Sequence, residues 1–378
     1  MTSASRNKRE LSAAVEAGFD VKVFCDDKTD KVAGMSEDIP VIFDDVIPID
    51  YSIPKLKRWW LIIKNDLTVM NRTKKLDCDV LSCHDLSSLR TAYLAFLFKR
   101  KKPKLIYDSH EFELGRNTSR GKLGTAMIKF WEGKLIKKSV FTIVVSDGIA
   151  DELQKIYKMD NRPVVIRSIP NKWSIDHSVC DSIRKEIMSK FSSDVDTLIM
   201  FHGNLGNGNG IEDVIPALAD LPGVGLALLG RKIDDRLFDS FFDIAQKNGV
   251  EDRVIYLPAV DINELWKYVG AADIEMMMIV PIVRSHYLCL PNKMFESIQS
   301  EVPVIASDLP EMVRVVNEYN IGLTCHPGDT AGIAACIRKM IEDRQMYEGF
   351  KTNLAKAKDE LCWECEKLKL MEAFRLLE

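Results

Sequence analysis

The strongest constraint in this sequence is a rhythm of short apolar runs, each followed by a turn and a stretch with helical periodicity. Residues 11–17 read as an amphipathic helix ending at Gly18, and residues 21–25 follow as a strand. Further strands are predicted at 80–83, 104–107 and 141–145, with helices at 89–99 and 125–138 between them. A second cycle starts near Thr197. Its strands fall at 198–201, 224–229, 254–257, 274–279 and 303–306, and its helices at 211–221, 235–248 and 292–300. Apolar strands separated by helices require a parallel sheet covered on both faces, so the fold class is α/β with two doubly wound units.

At 378 residues the chain exceeds one ordinary core, and about 150 residues per domain gives two. Pro170 and Asn171 interrupt the pattern. The expected division is 1–172, 173–355 and a helix over 356–378 packing back toward the first domain. Ligands of doubly wound sheets bind beyond the carboxyl ends of the strands. Two facing sheets would set a cleft lined by the loops at His84 and Asp85, 108–111, Ser146, 203–210, Gly230 and Arg231, and 287–296.

Composition excludes several classes. Hydrophobic residues make up 46% and charged residues 29%, which is ordinary for a globular enzyme and unlike a disordered chain or coiled coil. A net charge of −4 argues against a nucleic-acid partner. The balance is uneven, however: residues 51–140 hold 20 basic against 8 acidic side chains, whereas the part after residue 180 holds 21 against 32. The nine cysteines lack disulfide spacing, and the lone C-x-x-C at Cys362 and Cys365 has no second pair to complete a zinc site. The polar start shows no signal peptide, and the longest apolar run, 276–283, is too short to cross a bilayer. Together these features place the protein in the cytoplasm.

Four local patterns carry chemistry. The glycine-rich turn 202–210, with Gly203, Asn204, Asn209 and Gly210, either cradles a phosphate at the following helix or is a flexible turn. The run Leu290, Pro291, Asn292, Lys293 suits a helix start that sets backbone donors and a cation near an anion. Glu296, one turn in, could accept hydrogen bonds from ribose hydroxyls or be an exposed first-turn acid. His110 follows a strand and either donates to a substrate or caps its loop. Asp77 and Asp79 precede a strand and read as turn chemistry rather than a metal motif. No metal site is expected.

The basic region has two clusters. One is Lys55, Lys57 and Arg58 beside Trp59 and Trp60; the other is Lys99, Arg100, Lys101, Lys102 and Lys104. Cations interleaved with Trp and Leu suit an interfacial helix, each cation contributing about 1 kcal/mol at an anionic leaflet. The expectation is peripheral contact with the inner leaflet.

In order, these segments resemble bacterial family-4 glycosyltransferases of the GT-B fold. The matching pieces are the helix and strand at 14–23, His84-Asp85, the stretch 107–111 ending in Ser109-His110-Glu111, 145–149 with Ser146, 201–205, 252–257, Ala272-Asp273, 290–296, 302–307 and Trp363-Glu364. Pro291-Asn292-Lys293 marks the variant C-terminal motif. The resemblance implies a retaining, metal-independent, hexosyltransferase-like enzyme of surface-polysaccharide assembly that needs no cofactor. A UDP- or GDP-linked sugar would be its donor, and a glycan or lipid-linked sugar its acceptor. Glu296 would hold the ribose, with Gly203, Asn204, Asn209, Gly210, Arg231, Leu290, Asn292 and Lys293 near the nucleotide. His110 and Glu111 would be catalytic, and His84, Asp85 and Ser146 would line the acceptor side.

Three departures stand out. Leu288 occupies the first position of the family's Glu-x7-Glu pattern. Asn204 and Asn209 stand where the loop commonly carries Arg or Lys. The usual first strand has no counterpart before Arg6, so the N-terminal sheet is expected to lack it or the start to be displaced. A catalytically degenerate binding protein and a nucleotide-sugar epimerase are the alternatives.

Overall fold

The computed structural model describes residues 2–25, 39–43, 52–116 and 121–378. The chain divides into unit 1, Met1–Arg167 with Lys367–Glu378, and unit 2, Ser168–Glu366. The division thus falls a few residues before the Pro170-Asn171 interruption.

Unit 1 runs α1 (Thr2–Glu16), β1 (Val23–Cys25), β2 (Val41–Phe43), α2 (Lys55–Thr73), β3 (Val80–His84), α3 (Asp85–Phe96), β4 (Lys104–Ser109), α4 (Lys122–Leu135), β5 (Phe141–Val144), α5 (Asp147–Tyr157) and β6 (Val164–Val165). Among the described residues, β1 and β2 form one parallel pair and β3-β4-β5-β6 a second parallel sheet. β4 and β5 are buried along nearly their whole length because helices cover both faces. Glu132 of α4 is also fully buried, and it is tolerated because the Tyr107 and Tyr157 hydroxyls donate to its two oxygens at 2.8 and 2.7 Å.

Unit 2 runs α6 (His177–Met188), β7 (Thr197–Leu205), α7 (Ile211–Ala217), β8 (Val224–Lys232), α8 (Asp235–Lys247), β9 (Val254–Pro258), α9 (Leu265–Val269), β10 (Ile274–Met277), α10 (Arg284–Tyr287), α11 (Asn292–Gln299), β11 (Val304–Ser307), α12 (Pro310–Tyr319), β12 (Gly322–Cys325), α13 (Thr330–Glu342) and α14 (Arg344–Glu360). α15 (Trp363–Phe374) follows, and its end lies in unit 1, where Phe374 packs on Phe19 and Phe141.

The sheet of unit 2 is parallel in the order β12-β11-β10-β7-β8-β9. The order reverses between β7 and β10, which makes their carboxyl ends the switch point where doubly wound sheets bind ligands. Strand alternation explains the layers: Ile199 and Phe201 of β7 enter one core, Leu198 and Met200 the core on the opposite face.

Candidate functional site

At the switch point of unit 2, β7 does not stop at Phe201 as its apolar run suggests. It continues through His202, Gly203 and Asn204 to Leu205, paired residue by residue with β8 up to Lys232. The predicted turn therefore shrinks to the residues after Leu205. The parallel ladder carries the strand onward because β8 supplies a partner for each backbone group.

His202 becomes central as a result. It is almost fully buried, and its Nδ1 lies 2.8 Å from Glu275 Oε1 on β10 while its Nε2 lies 2.9 Å from Glu296 Oε2 on α11. Burial disfavours its charged form, but Glu275 and then Glu296 overcome that penalty and raise its pKa to about 9. A cation therefore bridges two carboxylates, and the Glu296 side chain is held in one orientation. Glu296 is not the exposed first-turn acid of the simpler reading, since it is buried. Lys293, one turn before the end of this grip, lies with Nζ 3.8 Å from the Phe201 ring centroid. Burial pushes its pKa down to about 8 against the pull of Glu275, Cys289 and Glu296.

Other expected donor residues separate into contacts and scaffolding. Asn204 stands opposite Arg231 in the β7–β8 register, and Arg231 is exposed. Asn209 is a brace: its Nδ2 donates to the Asn204 and Gly206 carbonyls at 3.0 Å each. Gly210 adopts φ +65°, and a Cβ there would stand 2.0 Å from the Met278 carbonyl, so its glycine is required by packing on the strand region after β10. Leu290 is buried, its side chain packed in the apolar cluster around Met294 and Phe295. Asn292 opens α11, where Pro291 offers no side-chain cap and the Met294 amide donates to the Pro291 carbonyl at 3.0 Å. Leu288, at the departed acidic position, is buried.

In unit 1, the carboxyl ends of β3 and β4 bring together residues that the sequence scattered. Asp108 is completely buried, and Arg6 of α1 donates through Nη2 to its Oδ1 at 3.1 Å. Arg6 also donates to the Ile166 carbonyl at 2.9 Å and pairs with Glu10 at 2.7 Å. His84 Nδ1 and His110 Nε2 approach Asp108 Oδ2 to 3.2 and 3.1 Å and each other to 2.9 Å. Burial alone would raise the Asp108 carboxyl; Arg6 and the two imidazoles reverse that and hold it well below the usual range. His84 is raised although burial opposes its charge, because Asp108 faces it.

Glu111 is exposed and pairs with Arg116 at 3.1 Å. Asp85 takes φ 69° at the start of α3, a conformation costly for a residue with a side chain. Ser146 is buried and caps α5, accepting from the Ile149 amide at 3.3 Å. Arg6 and Glu275 were missed, and Asp108 and His202 lay inside the singled-out stretches 108–111 and 202–210 without a role of their own. Buried charge has no local sequence signal, although Asp108 sat two residues from His110 and His202 opened the glycine-rich stretch.

The basic region is also resorted. Lys101 pairs with Asp79 at 3.0 Å, and Lys104 Nζ reaches the carbonyls of Leu377 and Glu378, so these two cations are engaged within the unit. The Asp77/Asp79 turn is thereby an ion-pair partner. Cys362 and Cys365 are free thiols with sulfurs 3.7 Å apart, both donating to the Asp359 carbonyl.

Comparison with known proteins places the two units in sequence families. A family model described as Glycosyltransferase Family 4 matches residues 8–171, and one described as Glycosyl transferases group 1 matches residues 183–357. A glycogen synthase of Mycobacterium tuberculosis is 23% identical over 360 residues, covering 89% of this chain and 82% of that protein. The sucrose-phosphate synthase structure from Thermosynechococcus elongatus superposes with a TM-score of 0.76 at 18% identity, over 97% of this chain and 91% of the other. Anabaena HepE in complex with UDP gives 0.75 at 16% identity, over 97% and 96%. These likenesses establish the fold: two Rossmann-like domains.

Proposed function

The chain belongs to the family-4 glycosyltransferases of GT-B fold, and from this premise we propose that it moves a sugar, with retention of configuration, from a nucleotide-sugar donor to a glycan or lipid-linked acceptor in surface-polysaccharide biosynthesis. The observation that carries the proposal is the His202 bridge between Glu275 and Glu296 at the switch point. A ribose-binding carboxylate must be fixed before the ligand arrives, because orientation fixed in advance is not paid for on binding. His202 holds it in place. Its charge keeps Glu296 oriented, and Glu296 Oε1 remains to accept from ribose hydroxyls.

The departing diphosphate would meet Lys293, Arg231 and the first amides of α11, which stabilise the charge that develops there. Arg231 answers the loss of the loop cation, since it stands across the ladder from Asn204. In the front-face picture the leaving phosphate takes the acceptor's proton, so no protein nucleophile is required. His110 and Glu111 keep the catalytic assignment that the resemblance gives them, and His84 and Asp85 the acceptor side.

The UDP complex of the HepE neighbour supports uridine as the first base to test. UDP is expected to raise the melting temperature and GDP to do so less; at 100-fold over Kd a ligand adds about 2.7 kcal/mol. Glu296→Gln should weaken UDP binding about 10- to 100-fold, since a charge-assisted hydrogen bond contributes about 1.5–3 kcal/mol. A protein that binds neither nucleotide at millimolar levels, yet associates tightly with another transferase, would instead support the non-catalytic reading that Leu288 and the two asparagines motivated.

A peripheral place on the cytoplasmic face of a membrane is part of the same reading. α2 exposes Leu56, Trp59 (63%) and Trp60 (64%) beside Lys55, Lys57 and Arg58; Phe98 (95%) leads into Lys99, Arg100 and Lys102. α4 adds Leu123, Met127 and Phe130, spaced to share one helix face. No described helix is long and apolar enough to cross a membrane. Replacing Trp59 and Trp60 with Glu should reduce co-sedimentation with phosphatidylglycerol vesicles at least about 10-fold, given the apolar area that two indoles bury. Unchanged partitioning would remove membrane docking from the reading.

A further inference from the structure

Two imidazoles close on the buried Asp108 in unit 1, and the geometry leaves room for a single proton between the rings. Asp108 Oδ1 accepts from Arg6 Nη2 at 3.1 Å, which leaves Oδ2 for the histidines. His84 Nδ1 and His110 Nε2 stand 3.2 and 3.1 Å from that oxygen and 2.9 Å from each other. An ionised carboxylate only accepts, so at least one ring turns an N–H toward it. Two inward N–H groups would oppose each other across 2.9 Å. One ring therefore donates inward, and the other meets it with a bare nitrogen.

The surrounding charges select the donor. Among the described residues, Arg6 and Glu10 of α1 and Asp108 of β4 are the ionisable groups acting on this pair. Burial opposes charge on His84, yet its contact with Asp108 and then the field of Glu10 raise it above the ordinary imidazole value, with Arg6 pulling the other way. His84 Nδ1 is thus the inward donor, shared between Asp108 Oδ2 and His110 Nε2. With Nε2 accepting, the proton of the His110 ring sits on Nδ1. That nitrogen takes part in none of these contacts, and the His110 side chain is 19% exposed.

We infer that Arg6 and Asp108 are positioning residues, which hold the two imidazoles in one orientation and one tautomer so that His110 offers Nδ1–H as an outward hydrogen-bond donor. Arg6 suits this task because three acceptors pin it: Asp108, Glu10 at 2.7 Å and the Ile166 carbonyl at 2.9 Å. A carboxylate gripped by so buried a guanidinium keeps its plane, and the rings that bind it keep theirs. A donor fixed in advance needs no reorganisation when charge develops on a sugar oxygen, whereas the opposite tautomer would present a lone pair instead. The use of this donor rests on the proposed reading of His110 as a contact to the transferred sugar; the tautomer itself does not.

The test is nitrogen NMR on the full chain with 15N-labelled histidine, read before any donor or acceptor is added. The chain has six histidines, and His110→Gln identifies the His110 signals by their loss. Near neutral pH, His110 should show a protonated Nδ1 and an unprotonated, hydrogen-bonded Nε2. Asp108→Asn removes the charge and adds competing amide N–H groups. The His110 proton should then redistribute over both ring nitrogens, and the His84 titration should move to lower pH. Arg6→Gln should also loosen the tautomer, and Arg6→Lys should keep it. With a UDP-sugar that is turned over, Asp108→Asn and Arg6→Gln should each lower kcat about 100-fold with little change in donor KM, the cost of a misplaced contact. The opposite tautomer or an even mixture in the unaltered chain would overturn the assignment, and that spectrum decides even where a variant folds poorly. A His110 tautomer indifferent to both Asp108→Asn and Arg6→Gln would overturn it as well. A fixed tautomer that responds to these variants in a chain that transfers no sugar would support the positioning and count against the sugar contact alone.

Discussion

His202→Leu is expected to lose about 3–5 kcal/mol of unfolding free energy at neutral pH, because it strands the Glu275 carboxylate in a dry interior. Glu275 is completely buried, and both its ring contact and a backbone amide contact come from His202. Leucine keeps the apolar volume but removes the compensating charge. Urea unfolding followed by circular dichroism reads the loss. A change under about 1 kcal/mol would show that Glu275 does not need its cation, since surface-like substitutions fall within that range.

The same residue sets a pH dependence whose sign is fixed. Its folded pKa of about 9 lies above the ordinary 6.5, so its contribution is complete below pH 6.5 and is lost as pH rises toward 9. The separation corresponds to about 3 kcal/mol. The fall is cleanest between about pH 6.5 and 8, because Lys293, pushed down to about 8, acts in the opposite direction above that. The slope should disappear in His202→Leu. Wild-type stability that stays flat across this window would contradict the charged bridge.

Gly210→Ala is expected to cost about 2–5 kcal/mol. The left-handed conformation at φ +65° accounts for about 1–2 kcal/mol, and the Cβ forced against the Met278 carbonyl at 2.0 Å adds about 1–3. Gly249→Ala isolates the second contribution, since Gly249 has the same φ but nothing within 4 Å of the new atom. Its loss should stay near the backbone cost alone. Equal losses in the two variants would mean that the loop moves aside and that the close approach to Met278 is not rigid. UDP titration of Gly210→Ala gives a second reading, because a shifted α7 entrance would displace the β7 end from Glu296.

The sequence made the architecture legible because strand and helix are local choices. The apolar runs at 80–83, 104–107 and 198–201 lie within observed strands and the helical stretch at 235–248 overruns α8 by one residue, since periodicity reports which faces are buried without reference to the partner. The ends were less legible. β7 ran four residues past its apolar stretch because β8 offered a ladder, and no property of His202, Gly203 or Asn204 alone signals that. The family motifs brought attention to Glu296 and Lys293 for the same local reason: both follow a readable helix start.

What the sequence determined by itself was the pair of parallel α/β units and the order of the motifs that resemble the family. What only the tertiary structure decided was which charges meet. Arg6 lies 102 residues from Asp108, and Glu275 lies 73 residues from His202, yet each pair is buried in contact. The asparagine that looked like a phosphate contact braces a turn, the glycine that looked like a cradle accommodates a neighbouring strand, and the serine expected at an acceptor also caps a helix. Local pattern fixes secondary structure because backbone hydrogen bonds and burial repeat along the chain. The ionisation and orientation of a buried side chain depend on neighbours distant in sequence, through desolvation and Coulomb energies that exist only once the sheet has brought them together.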